Sequence, residues 1–209
     1  MKKEAELLRE YGPFPGVEGV HGVTFDGQKV WFATGDQINA LDPVTGRILG
    51  NIKVAADAGT AFDGRHLYQI AEDRIRKIDP RTGVVLGSIP APVSGASGLT
   101  WAEGLLWVGH YRERRIHQVD PGTGEVLRTI QSDRFVTGVT WTQGDLWHGT
   151  WEGDESELRQ VDAHTGEVKE RLAMPAGTNV SGLEAGNAGE FFCGGGRAGK
   201  VRLVRRPKG

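Results

Sequence analysis

Thr137-Gly138-Val139-Thr140-Trp141-Thr142-Gln143-Gly144-Asp145-Leu146-Trp147-His148-Gly149-Thr150 leads into Leu158-Arg159-Gln160-Val161-Asp162-Ala163-His164-Thr165-Gly166. The same pattern starts at His21, Ala58 and Ser97, and a shorter fifth copy, SGLEA-GNAGEFFCGG-VRLVRR, starts at Ser181. Their leading glycines, Gly22, Gly59, Gly98, Gly138 and Gly182, are 37, 39, 40 and 44 residues apart. That period belongs to four-stranded propeller blades.

Each copy reads as strands. A Gly-led apolar run meets a glycine turn at Gly27, Gly64, Gly104 or Gly144. An aromatic-bearing strand follows, with Trp31, Tyr68, Trp107, Trp147 and Phe192 in one register position. A third strand ends in Asp42-Pro43-Val44-Thr45-Gly46 or its equivalents. In that turn Asp accepts amide protons, Pro pre-sets φ, and Gly takes the left-handed conformation of a bulged hairpin. The fourth strand is missing from the last copy. Residues 5–11 resemble 124–130 and supply it, which closes the ring and covers open edges. A helix over residues 2–10 competes on propensity, but five complete blades require the strand.

The expected fold is therefore all-β: one five-bladed β-propeller with four antiparallel strands per blade. The expected blades are at about 21–54, 58–90, 97–131, 137–173 and 181–206, the last closed by a strand at about 4–11.

Composition fits one domain. The chain has 209 residues, 38% hydrophobic and 25% charged, with 32 glycines and 6 tryptophans for tight turns and aromatic packing. A net charge of −2 gives no general attraction for nucleic acid. The single cysteine, Cys193, excludes an intrachain disulfide, and its mid-strand position suits core better than nucleophile. The start shows no signal-peptide core, and no apolar run reaches the ~18 residues of a membrane span. A cytoplasmic monomer, without nucleic-acid or membrane partners, is expected.

A site would lie at one mouth of the channel, where His21, Ala58, Ser97, Thr137 and Ser181 lead into the inner strands. The loops joining second and third strands surround them. His21 is a candidate general base, since imidazole titrates near neutrality; a channel histidine bonded to backbone is the plainer reading. Glu184 stands where the other copies have Thr24, Ala61, Thr100 and Thr140, so it is either solvated or the second acid–base group. Ser97, His110, Tyr111, Arg112, Thr137, Trp151, Asn179, Ser181 and Arg197 are candidate contacts for a small molecule or peptide, and Phe14 a further apolar wall. The acidic run Glu152, Asp154, Glu155 and Glu157 offers cation ligands or a solvated hairpin tip. Residues 194–199 match G-x-G-x-x-G, but such a phosphate loop needs a following helix, and here the glycines join two strands.

The repeat x-G-[VL]-T-[FW]…G-x-[LV]-W…[IV]-D-P-x-T-G-x-V resembles that of the plant- and bacterial-type glutaminyl cyclase (glutamine cyclotransferase) family, over nearly the whole chain. Residues 141–151, with Val161-Asp162 beyond, look most like it, through the family's E-[WY]-V-N-G-x-[IL]-W-A-N-V-W segment. The resemblance implies a five-bladed propeller that turns an N-terminal glutamine into pyroglutamate, releases ammonia and needs no cofactor. The family's F-T-Q-G-L becomes Val20-His21-Gly22-Val23. Its F-G-E-G, whose Glu is the expected proton shuttle, becomes Asp57-Ala58-Gly59-Thr60, and its fourth-blade Asn becomes Thr137. Alanine carries no proton, so Asp57 or Glu184 would have to substitute. A looser similarity to streptogramin (virginiamycin B) lyases implies seven blades, too many for this length.

Three functions follow as expectations. One is a cyclotransferase-like enzyme with His21 and Glu184 as acid–base groups. Another is a non-catalytic propeller binding a small ligand or peptide. The third is a metal-dependent lactonase- or lyase-like enzyme using Glu18, Asp57, Asn179 and Glu184.

Overall fold

Alternating side chains and glycine turns produce five antiparallel sheets in the computed structural model, which describes residues 3–187 and 189–207. The N-terminal strands are β1 (Lys3–Glu4) and β2 (Glu6–Tyr11). Blade 1 is β3 (Val23–Phe25), β4 (Val30–Ala33), β5 (Gly35–Leu41) and β6 (Ile48–Ala56). Blade 2 is β7 (Thr60–Phe62), β8 (Leu67–Ala71), β9 (Arg74–Ile78) and β10 (Val85–Pro90). Blade 3 is β11 (Ala96–Ala102), β12 (Leu105–His110), β13 (Arg115–Val119) and β14 (Val126–Gln131). Blade 4 is β15 (Val139–Thr142), β16 (Asp145–Glu152), β17 (Glu155–Val161) and β18 (Val168–Ala173). Blade 5 is β19 (Leu183–Ala185), β20 (Glu190–Gly194), β21 (Val201–Arg205) and, completing it antiparallel, β2. No helix occurs among the described residues.

The N-terminal segment closes more than one blade. β2 pairs with β21, whereas β1 pairs in parallel with β18 and adds a fifth strand to blade 4. Between them Ala5 is buried with Trp147, Leu172 and Val204 and donates its amide to Ala173 O at 2.8 Å. The segment thus seals the seam between blades 4 and 5 as well as the ring.

The leading glycines are explained by the inner strands, which meet backbone to backbone. A Cβ on Gly59 would stand 2.5 Å from Leu99 N, one on Gly98 2.7 Å from Val139 N, and one on Gly182 2.8 Å from Val23 N. Gly22 faces Ala58 and Thr60, and Gly138 faces Leu183, in the same way. Each glycine therefore meets the next blade, and the fifth meets the first. No side chain fits in that ring.

Further out, aromatics join the blades. Tyr68 stacks on Trp101 at 5.3 Å, Trp107 on Trp141 at 6.0 Å, and Phe192 packs on Phe25 at 5.2 Å. In each pair a second strand meets the inner strand of the following blade. Blade 5 has Ala185 where that inner aromatic belongs, and Phe191 fills the space against Trp147 at 5.0 Å. The D-P-x-T-G turn behaves as its chemistry dictates. Asp42 accepts from Val44 N at 2.8 Å and Thr45 Oγ1 at 2.6 Å, and Gly46 takes φ +77°.

Candidate functional site

The five inner strands begin at the same end of the channel, so residues just before each leading glycine converge there. They form the floor of a cavity of about 360 Å³ lined by His21, Asp57, Ala58, Ala96, Ser97, Tyr111, Thr137, Trp151 and Ser181. All five blades contribute. Three larger hollows, of about 700, 460 and 410 Å³, lie along outer strands and turns; they are lined largely by Lys3, Lys169, Glu170, Arg171 and Arg206, by Arg65, His66, Asp79 and Arg81, and by Lys29, Lys53 and Arg81 with their neighbours. None of them gathers more than two adjacent blades, so the smaller axial cavity is the better site.

One wall is aromatic and braced. Tyr111 stacks on Phe135 at 4.7 Å, Arg114 lies over Phe135 at 4.6 Å, and Tyr111 Oη donates to Trp151 O at 3.3 Å. The opposite wall is polar. His21 is half-buried; burial holds its imidazole below the ordinary histidine range, and the Asp57 carboxylate partly offsets this. A neutral imidazole beside a carboxylate can accept a proton and pass it on.

The hydroxyls divide by partner. Ser97 Oγ donates to Val136 O at 2.7 Å, and Ser181 Oγ donates to Val20 O while accepting from Gly196 N at 2.9 Å. Both clip one blade to the lead-in of the next. Thr137 Oγ1 is buried and has no hydrogen-bond partner among the described residues. It is the hydroxyl with an unmet bond beside the cavity.

Six of the eleven sequence candidates therefore line the cavity: His21, Ser97, Tyr111, Thr137, Trp151 and Ser181. His110 is buried beneath the rim, its Nδ1 3.6 Å from Glu113 Oε2. Arg112 and Arg197 are exposed and Asn179 is half-buried, and none of the three lines it. Phe14 instead stacks on Phe32 at 4.8 Å.

Glu184 lies deeper in the ring. Its Oε2 accepts from Thr24 Oγ1 at 2.7 Å, and its Oε1 from Thr140 Oγ1 at 2.7 Å and Ala185 N at 2.9 Å. Thr24 belongs to blade 1 and Thr140 to blade 4, so the carboxylate spans both neighbours of its own strand. Burial pushes its carboxyl up to about 7, against which those three donors work. The residue as a whole keeps partial exposure, but the carboxyl is walled in, and its own surroundings govern its protonation. Three residues of strand separate it from the mouth, about 10 Å along the axis.

Three of the four residues of the acidic run are engaged with arginines: Glu152 with Arg134 at 2.9 Å, Glu155 with Arg134 at 3.8 Å, and Glu157 with Arg159 at 3.0 Å. Among the described residues no group of three or more His, Cys, Asp or Glu is placed to hold a metal ion. Burial pushes the Cys193 thiol up to about 12, so it stays a thiol at neutral pH. Residues 195–200 connect β20 directly to β21, with no helix after the glycines.

Sequence reasoning missed Ala96 and Phe135, whose roles depend on loop placement. It also missed an ionic group at the blade 3–4 seam, where buried Arg159 pairs with buried Glu157 and with the exposed Asp133, across the strands from His148. Burial holds the His148 imidazole down to about 4. A signal existed in the polar residue three positions before each turn aspartate, in Asn39, Arg76, His117 and Arg159.

No family model matches the chain, and no curated protein matches it by sequence. Among solved structures, the glutaminyl cyclase of Myxococcus xanthus superposes with a TM-score of 0.81 at 16% identity, over 98% of this chain and 97% of that one. The WD40 β-propeller domain of Doa1 gives 0.57 at 17% identity, over 89% and 63%. Hydrazine synthase of Kuenenia stuttgartiensis gives 0.53 at 19% identity, over 81% and 52%. At these identities the likeness is one of fold, and the near-complete mutual coverage with the first is that of a whole five-bladed ring.

Proposed function

We propose that this chain is a glutamine cyclotransferase-like propeller whose mouth cavity takes the glutaminyl end of a peptide or a similar small amide. The observation that carries this reading is the cavity itself, with His21 and Asp57 facing Tyr111 and Trp151. Its volume of about 360 Å³ suits a small ligand. In the cyclisation the substrate α-amine attacks the side-chain carboxamide carbon. A new C–N bond forms, the bond to the amide nitrogen breaks, and ammonia leaves. His21 takes the amine proton and returns it to the departing nitrogen, with Asp57 stabilising the imidazolium between the two transfers. The aromatic wall holds the apolar part of the substrate.

A second reading is favoured by one position. Ala58, where the resembled family has its Glu, lines the cavity without a proton-carrying group. On that reading the mouth binds a peptide end or small molecule without turnover.

Wild-type protein and the His21→Asn, Asp57→Asn and Ala58→Glu variants, incubated with glutaminyl peptides and followed for ammonia and pyroglutamate, separate the two. Turnover by the wild type that falls at least a hundredfold in His21→Asn supports the enzyme. Turnover by Ala58→Glu alone identifies a binding site that lacks its shuttle. Silence from every variant, with no saturable peptide binding, removes both.

A further inference from the structure

We infer that Glu184 is a positioning residue for the mouth, tying the inner strands of blades 4, 5 and 1 so that its protonation state sets where His21 stands. The inference rests on the proposed site only in taking the mouth as functional. Glu184 bonds Thr24 and Thr140, and each of these lies three residues beyond a mouth residue, His21 and Thr137; Ser181 stands three residues before Glu184 on its own chain. One carboxylate thus connects three of the five lead-in positions.

The two oxygens are not equivalent. Oε1 already receives two donors, Thr140 Oγ1 and Ala185 N, whereas Oε2 receives only Thr24 Oγ1. A proton therefore goes on Oε2, which then donates to Thr24 Oγ1, and the direction of that bond reverses. Thr24 is fully buried, so its displaced hydroxyl proton must find another acceptor, and the start of β3 with His21 just before it adjusts. The tie to blade 4 is unchanged.

No other charge competes. Glu184 is the sole titratable side chain on the five inner strands, and its cross-strand partner Phe192 is apolar. The nearest titratable groups along the chain are His21 and Asp57 toward the mouth, and Asp26 and Asp63 two residues past Thr24 and Ala61 in the other direction. The small residues at the same place in other blades, Thr24, Ala61, Thr100 and Thr140, show that the ring packs without a carboxylate.

The test is a pH titration of the ¹⁵N-labelled full chain by NMR, following the amides of His21, Thr137 and Ser181. In the wild type the His21 amide should show a step near pH 7, separate from the lower titration of its own imidazole and larger than any step at Thr137. Glu184→Gln places an NH₂ donor toward Thr24 at every pH. It should lack the step and hold His21 at its wild-type low-pH position. Thr24→Val should also lose the step at His21 while the Glu184 carboxyl still titrates, which keeps the test alive should Glu184→Gln fold poorly. A His21 amide indifferent to pH near 7, or a step that persists in Glu184→Gln, overturns the inference. A step that behaves as expected in a protein that neither binds nor turns over glutaminyl peptides supports the coupling and removes the proposed function instead.

Discussion

Glu184→Gln should raise stability by no more than about 1 kcal/mol at pH 5 and by several times that at pH 8. Raising a carboxyl from 4.5 to about 7 is worth about 3.5 kcal/mol, at 1.4 kcal/mol per pH unit. This is an upper figure, because the fold can relax around the charged carboxylate. The direction follows from proton counts. Between pH 4.5 and 7 the folded chain holds the Glu184 proton and the unfolded chain does not, so stability falls as pH rises through that window. The favourable contribution is complete below 4.5 and gone above about 7. Glutamine has no proton to lose and keeps the polar shape, so its curve lacks this slope.

The assay is urea unfolding of both proteins at pH 5, 6, 7 and 8, compared as a difference at each pH. His21, His117 and His148 also shape the absolute curve. Burial holds all three imidazoles below the ordinary range, so they add stability as pH rises through it, but they are present in both proteins and cancel. The difference in favour of Gln should grow to about 3 kcal/mol by pH 8. Parallel curves would refute the reasoning, since they would mean the carboxyl titrates as freely in the fold as in the unfolded chain. A difference growing in favour of Glu would reveal a cationic partner.

Gly98→Ala drives a Cβ to within 2.7 Å of Val139 N and should lower Tm by roughly 3–10 °C, while Gly50→Ala, whose Cβ meets nothing within 4 Å, should not; equal Tm for both would contradict the backbone ring. Arg159→Ala withdraws the guanidinium from buried Glu157 and should cost about 3–5 kcal/mol in urea unfolding, and a loss under about 1 kcal/mol would show the seam tolerates the change. Trp151→Ala should raise the KM or Kd for glutaminyl peptides at least tenfold with Tm within about 3 °C of wild type; unchanged affinity would take Trp151 out of the cavity's working wall.

Most of the fold was legible because a propeller repeats its physics. Gly22 and its equivalents, the aromatic at Trp31 and its equivalents, and the turn at Asp42 and its equivalents each solve one local problem five or four times over, so pattern alone exposes them. The N-terminal strand was legible in kind, since an unpaired edge demands a partner, but not its division into β1 on blade 4 and β2 on blade 5. That division depends on Ala5 fitting between Trp147 and Val204, a contact no local pattern announces. The mouth was legible by position. Which mouth residues reach the cavity was not, because Arg112, Arg197 and Asn179 sit on loops whose direction is set by tertiary packing.

In a ring of equivalent blades, the other four positions act as controls for any residue that breaks the repeat. Thr24, Ala61, Thr100 and Thr140 show what packing at that level requires, which is a small neutral side chain. Glu184 replaces it with a carboxylate that has no cation beside it, three donors that only partly offset its burial, and a proton affinity moved to neutrality. Ring closure offers no reason for this, since blade 5 meets blades 4 and 1 through Gly138 and Gly182 as the other blades meet theirs. The residue that packing does not require lies on the strand that enters the cavity at Ser181. By the same argument Ala58 is what packing alone would select, and the imidazole and the carboxylate that line the mouth, His21 and Asp57, are the departures that packing does not explain.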